Sequence, residues 1–186
     1  MSHLDYEINK ELGECYLFMG ELDKAEGYYQ KAASSNGIHP DPYLGLATIA
    51  VQRGDLANAL TLYSKAHGID ATDKTFAGIG LVKMEMGAKE EAFALFIEAL
   101  GRNPENMVAL LSLIRLGHEL EALEKVVPHL ESYLSIDPDK NEVRYSLAGC
   151  MVCLDRKDEA QAQLERILEK APDFAPAREL LEQLHQ

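Results

Sequence analysis

One short phrase recurs at a fixed interval and limits what this chain can become. Asn103-Pro104-Glu105, Asp137-Pro138-Asp139 and Ala171-Pro172-Asp173 set their prolines 34 residues apart, and each phrase is flanked by amphipathic stretches rich in Leu and Ala. A constant period of this length, with a helix–turn–helix pattern inside it, is the mark of a stacked helical-repeat array.

Numbering each unit 1 to 34 with the proline at 32 places repeat starts at Tyr6, Pro40, Asp73, Met107 and Asn141, and a terminal helix from Ala175. The repeats therefore span about 6–39, 40–72, 73–106, 107–140 and 141–174, followed by a capping helix over 175–186, in a single domain covering 1–186. One loop residue is missing before Asp73, where Asp70-Ala71-Thr72 replaces the proline phrase. Small residues support the register. Gly13, Ala47, Gly80 and Ala148 share position 8, and Ala25, Ala59, Ala92 and Ala160 share position 20. Gly20, Gly54 and Gly87 share position 15, where the chain turns between helices and a positive φ suits glycine. Tyr29, Tyr63, Phe96, Leu130 and Leu164 at position 24 are the large side chains that fill space opposite the small ones.

These positions resemble the tetratricopeptide repeat (TPR), whose pattern asks for a large residue, Leu and Gly or Ala at 4, 7 and 8, and Ala at 20. It also asks for an aromatic or Leu at 24, Ala at 27 and Pro at 32. Tyr43, Leu46, Ala47, Ala59, Tyr63 and Ala66 satisfy most of it in the second unit. The resemblance implies an all-α solenoid of about five repeats in a right-handed superhelix, with the first helix of each repeat lining a concave face. The fourth unit departs most: Glu121 replaces the turn glycine, Val126 the position-20 alanine, and Pro128 enters the second helix, which predicts locally shifted packing near Val126. The first unit lacks the proline phrase in its Ser34–His39 loop. Asp41-Pro42 reads as a helix cap followed by proline in the first turn. The C-terminal helix can cover the fifth repeat with Leu180, Leu181 and Leu184 while Glu179, Glu182, Gln183 and Gln186 meet water. The N-terminal end shows no comparable cap, which leaves room there for further chain or for a homo-oligomeric contact.

Charge narrows the function. A formal net charge of −13, with no Lys/Arg run, disfavours nucleic acid as a partner. The longest mostly apolar run, Met107 to Ile114, is far shorter than the roughly 20 residues of a membrane span, and no leader pattern opens the chain, so membrane insertion is not expected and a cytoplasmic location is. Cys15, Cys150 and Cys153 do not make a disulfide framework. The CxxC at 150–153 lies inside a helix, where packing explains a cysteine better than zinc or redox chemistry does. The histidines share no metal spacing, and no nucleophile elbow, zinc-protease or phosphate-loop motif is present, so no enzyme, metal or cofactor is expected.

By the resemblance, positions 2, 5, 9 and 12 of each first helix face the groove. Leu44, Val51, Leu81, Met84, Leu111, Tyr145 and Val152 then form an apolar stripe, with Thr48, Lys74 and Arg115 as polar neighbours and Ala77 and Val108 at further groove positions. If the phase is displaced by one residue, the same side chains fall in the packed core instead. The clamp by which some family members hold a carboxylate is absent: only Lys10 and Lys74 match it, and Glu14 would repel an anion. The expectation is a protein-interaction scaffold that takes a peptide or helix in its groove. Competing readings are a secretion-type chaperone holding apolar segments and the targeting module of a larger enzyme. The register itself is open to test. Ala59 should lie where two helices approach at about 8–10 Å, so Ala59→Leu should lower unfolding free energy by about 1–3 kcal/mol in urea titration.

Overall fold

The computed structural model describes residues 3–35 and 38–185, and among them all regular structure is α-helical. The helices are α1 (His3–Phe18), α2 (Leu22–Ser35), α3 (Asp41–Gln52), α4 (Leu56–Ile69), α5 (Asp73–Glu85) and α6 (Lys89–Arg102). They continue as α7 (Met107–Glu119), α8 (Leu123–Ile136), α9 (Asn141–Cys153), α10 (Lys157–Lys170) and α11 (Ala175–Leu184). The fold is all-α and its helix starts track the expected repeat starts, except that α1 begins three residues before Tyr6 and α3 one residue after Pro40. The Ser34–His39 loop falls partly on residues 36 and 37, and the expected exposure of Gln186 concerns the last residue; both lie outside the described residues.

The proline phrases stop helices by two local effects. A proline pushes the residue before it out of the α region. Asn103, Asp137 and Ala171 accordingly end α6, α8 and α10 with ψ of 99°, 85° and 77°. In two of the three, the preceding side chain also closes the turn: Asn103 Oδ1 accepts from Glu105 N at 3.0 Å and Asp137 Oδ1 from Asp139 N at 3.3 Å. Where the phrase is missing, Thr72 caps α5 by accepting from Thr75 N at 3.4 Å. Asp41 behaves differently from the sequence expectation. It is the first residue of α3 rather than its cap, Pro40 precedes it, and no side chain caps that helix.

Two compact units make up the chain, one ending at Ala109 and the other starting at Leu110. In the first, aromatic rings at position 24 lie on glycines. A Cβ built on Gly13 would come within 2.8 Å of the Tyr29 ring, and one on Gly80 within 2.8 Å of Phe96, so the second helix of a repeat seats its ring on the first. A second seat lies on the following helix, at position 6. A Cβ on Gly45 would fall 2.3 Å from Tyr29, and one on Gly78 2.3 Å from Tyr63. Tyr29 and Tyr63 are thus each held against the first helix of the next repeat as well as within their own, and Tyr29, Tyr63 and Phe96 are all buried.

The second unit solves its irregular repeat by exchange. Val126, larger than the alanine usual at position 20, is fully buried, and α7 opposite it carries Gly117, where a Cβ would meet Val126 Cγ2 at 2.4 Å. Bulk added to α8 is matched by bulk removed from α7, and α8 runs through Pro128 as one helix. At the far end α11 lays Leu180, Leu181 and Leu184 on Ala148, Leu164 and Ile167, leaving Glu179, Glu182 and Gln183 exposed.

The inter-helix turns share one backbone shape. Gly20, Gly54 and Gly87 have φ of 76°, 77° and 84°, and Glu121 and Asp155 occupy the same left-handed region at 52° and 58°. The amide after each closes back on the helix before it, as Ala122 N does on Gly117 O at 2.8 Å and Arg156 N on Met151 O at 2.9 Å. A residue with a Cβ is disfavoured there. Glu121→Gly should therefore raise stability by about 0.5–1 kcal/mol, read as a higher urea midpoint with unchanged slope.

Candidate functional site

The helical period that buries one face of α3 also sends Leu44, Thr48 and Val51 out along another, spaced four and three residues apart. Lys74, Ala77, Gly78 and Leu81 make the matching face of α5, which packs beside α3. Between them, within the first unit, lies an open hollow of about 360 Å³ whose lining also includes Tyr63, Asn106 and Val108.

Its floor is fixed from below. Tyr63 reaches up from α4 because Gly78 has no Cβ to block the ring, and the tyrosine hydroxyl lies 3.2 Å from Thr48 Oγ1. Burial raises the Tyr63 phenol above its ordinary range, with the Thr48 hydrogen bond opposing, so the group stays neutral near pH 7. Leu44 and Val51 are half-buried: they pack on the Ala47–Ala50–Ala59–Tyr63 core with one side and border the hollow with the other. Leu81 is also half-buried, and Val108 is 49% exposed.

The polar rim is unequal. Asn106 is committed, donating to Asp73 Oδ2 at 2.8 Å and capping α7 by accepting from Ala109 N at 3.0 Å. Asn103 Nδ2 holds the same Asp73 oxygen at 3.0 Å, so that carboxylate is occupied too. Lys74 is exposed and, among the described residues, forms no ion pair. The hollow is therefore an apolar trough with one uncommitted cation at its edge.

The other residues expected along the groove are not part of the lining of this hollow. Met84 is half-buried on α5 but outside the lining. In the second unit, Leu111 is 57% exposed on α7, and Arg115 pairs with Glu119 on the same helix at 3.1 Å. Tyr145 leans on Phe174, with ring centroids 6.0 Å apart, at the border of the α9–α10–α11 core, and Val152 is half-buried on α9. Conversely, Tyr63, Gln52, Asn106 and Gly78 line the hollow although the groove positions of the repeat do not include them. The sequence signal for Gly78 was its repetition of Gly45 at position 6.

Cys150 and Cys153 lie on α9, the first buried and the second exposed. Burial pushes the Cys150 thiol up to about 11, the reverse of the depressed pKa that activates a thiolate. Among the described residues no helix is long and apolar enough to cross a membrane.

Comparison with known proteins agrees with the helix pairing. Models of the tetratricopeptide repeat match residues 6–74 and 118–184. BBSome complex member BBS4 of Bos taurus is 29% identical over 113 residues, 60% of this chain and 22% of that protein, so the chain spans about a fifth of the relative's length. The solved structure of pilF from Pseudomonas aeruginosa superposes with a TM-score of 0.74 at 18% identity, covering 93% of this chain and 79% of that one. YrrB, described as a TPR protein with an unusual peptide-binding site, gives 0.67 at 16% identity, covering 94% and 90%. At such identities the two structures speak for the fold alone. The repeat-model matches, which together cover most of the chain, place it in the tetratricopeptide repeat family, a fold that serves as a scaffold for protein interaction.

Proposed function

We propose that the first unit binds an apolar segment of a protein partner, a helix or an extended peptide, in the hollow between α3 and α5. The observation that carries this reading is the composition of the hollow: Leu44, Val51 and Leu81 converge on it from two rigid helices, and Tyr63 closes its floor. A volume of about 360 Å³ lies at the lower end of the range for ligand pockets, roughly 300–1,000 Å³, and suits one or two large side chains of a docked segment. Lys74 at the edge favours a partner with a carboxylate close to its apolar anchor.

The mechanism is binding without chemistry. Because α3 and α5 are held by ring-on-glycine contacts below, the trough is formed before the partner arrives and little ordering is required of it. Affinity comes from the apolar anchors, and selection comes from what the rim cation accepts.

Placing a charge in the trough should abolish this binding. In pull-downs from the source cell read by mass spectrometry, Leu81→Glu should lower recovery of the bound partner by about tenfold or more. Met84→Glu, outside the lining, should leave recovery unchanged. If the Leu81→Glu protein, folded by circular dichroism, recovers the same partners at wild-type levels, the hollow is not the binding site.

A further inference from the structure

The outward face of α1 presents Leu4, Ile8, Glu11, Cys15 and Phe18 at alternating intervals of four and three residues, the spacing of a helix–helix seam. The apolar members are open to solvent: Leu4 is 67% exposed, Ile8 48% and Phe18 95%, and Cys15 is exposed as well. Scattered apolar side chains on a surface need no explanation, but a continuous seam along one helix does.

The other repeats show what this face normally meets. Ile8 and Cys15 occupy positions 3 and 10. On α3, α5 and α9 those positions are Pro42 and Ile49, Thr75 and Val82, and Val143 and Cys150, and all six are buried. In each case the preceding second helix packs there: α2 on α3, α4 on α5, α8 on α9. The face on α1 therefore has the form of a helix-accepting face. It differs at position 6, which is Ser146 on α9. The same position is Gly45 on α3 and Gly78 on α5, where the preceding tyrosine ring sits, but on α1 it is Glu11. A repeat-type aromatic cannot take its usual seat on a glutamate.

We infer that this face docks a partner protein's amphipathic helix that carries an apolar stripe flanked by lysine or arginine. Charge chooses this occupant over a second copy of the chain. Asp5, Glu7 and Glu14 border the seam and Glu11 stands at its centre; among the described residues Lys10 pairs with Glu7 at 3.2 Å and Glu11 at 3.3 Å, and carboxylates outnumber ammonium groups along this helix. Two copies meeting through α1 would oppose carboxylates with carboxylates, whereas a basic partner answers them. The surface is on α1 and does not involve the hollow between α3 and α5.

The test uses the full chain and three dye-labelled synthetic peptides of about five helical turns. One has a leucine seam flanked by lysines, the second the same residues scrambled, and the third glutamates in place of the lysines. Fluorescence anisotropy should show binding of the lysine-seam peptide only, and bound peptide should slow alkylation of Cys15 relative to Cys153. Ile8→Glu makes the protein more acidic, so non-specific attraction would strengthen; docking predicts instead a loss of about tenfold or more. Glu11→Lys should shift preference to the glutamate peptide. The proposal is overturned if no peptide binds, if the scrambled peptide binds equally, or if Ile8→Glu leaves affinity unchanged or raises it. It is also overturned if the wild type sediments as a dimer that Ile8→Glu dissociates, since a second copy would then cover the face.

Discussion

A tyrosine ring lying on a glycine of the next helix is the contact on which the first unit depends. Helices that meet through ordinary side chains stand about 8–10 Å apart, and the distance follows the side chains at the crossing. Here Tyr29 and Tyr63 would collide with any Cβ at Gly45 and Gly78. The ring is large and stiff, and the seat is bare backbone. Repeat stacking is thereby set by one large residue and one missing one, repeated at a fixed period. Surface ion pairs such as Arg53 with Asp23 and Glu26, each at 2.6 Å, also link α3 to α2, but exposed pairs typically contribute only about 0–1 kcal/mol.

The same contact shapes the candidate site. Because the Tyr63 ring passes over Gly78, its hydroxyl emerges between α3 and α5 beside Thr48, and the aliphatic side chains above become walls. A residue that serves the core from one side and the hollow from the other couples the binding surface to the stability of the stack. The fourth repeat shows that the rule concerns complementary volume rather than residue identity. Val126 and Gly117 exchange the usual sizes across α7 and α8 and still close the gap. The α1 face shows the rule suspended, since Glu11 stands where a glycine would invite a ring.

Much of this was written in the period. The register located the helix starts, the turn glycines, the small position-8 and position-20 residues and the covering role of α11, because each follows from local backbone geometry or a repeated volume constraint. Asp41 misled because a cap and a first-turn acid occupy neighbouring positions and differ only in φ and ψ. The hollow was legible in part. Leu44, Thr48, Val51, Lys74 and Leu81 share it because helical spacing gives the face of a helix. That spacing does not say which faces enclose a common space, and so Met84, Leu111, Arg115, Tyr145 and Val152, assigned by the same rule, do not line it. Tyr63 escaped notice for the opposite reason: its place in the core hid that its hydroxyl passes through to the other side.

Tyr63 and Gly78 act as one unit, each requiring the other. A double-mutant cycle in urea denaturation measures this directly, using Gly78→Ala, Tyr63→Leu and the pair. Gly78→Ala should lower stability by about 1–3 kcal/mol when Tyr63 is present and by much less once the ring is gone, so that the two effects are strongly non-additive. If the two substitutions add to within about 0.5 kcal/mol, the ring does not depend on the bare backbone beneath it.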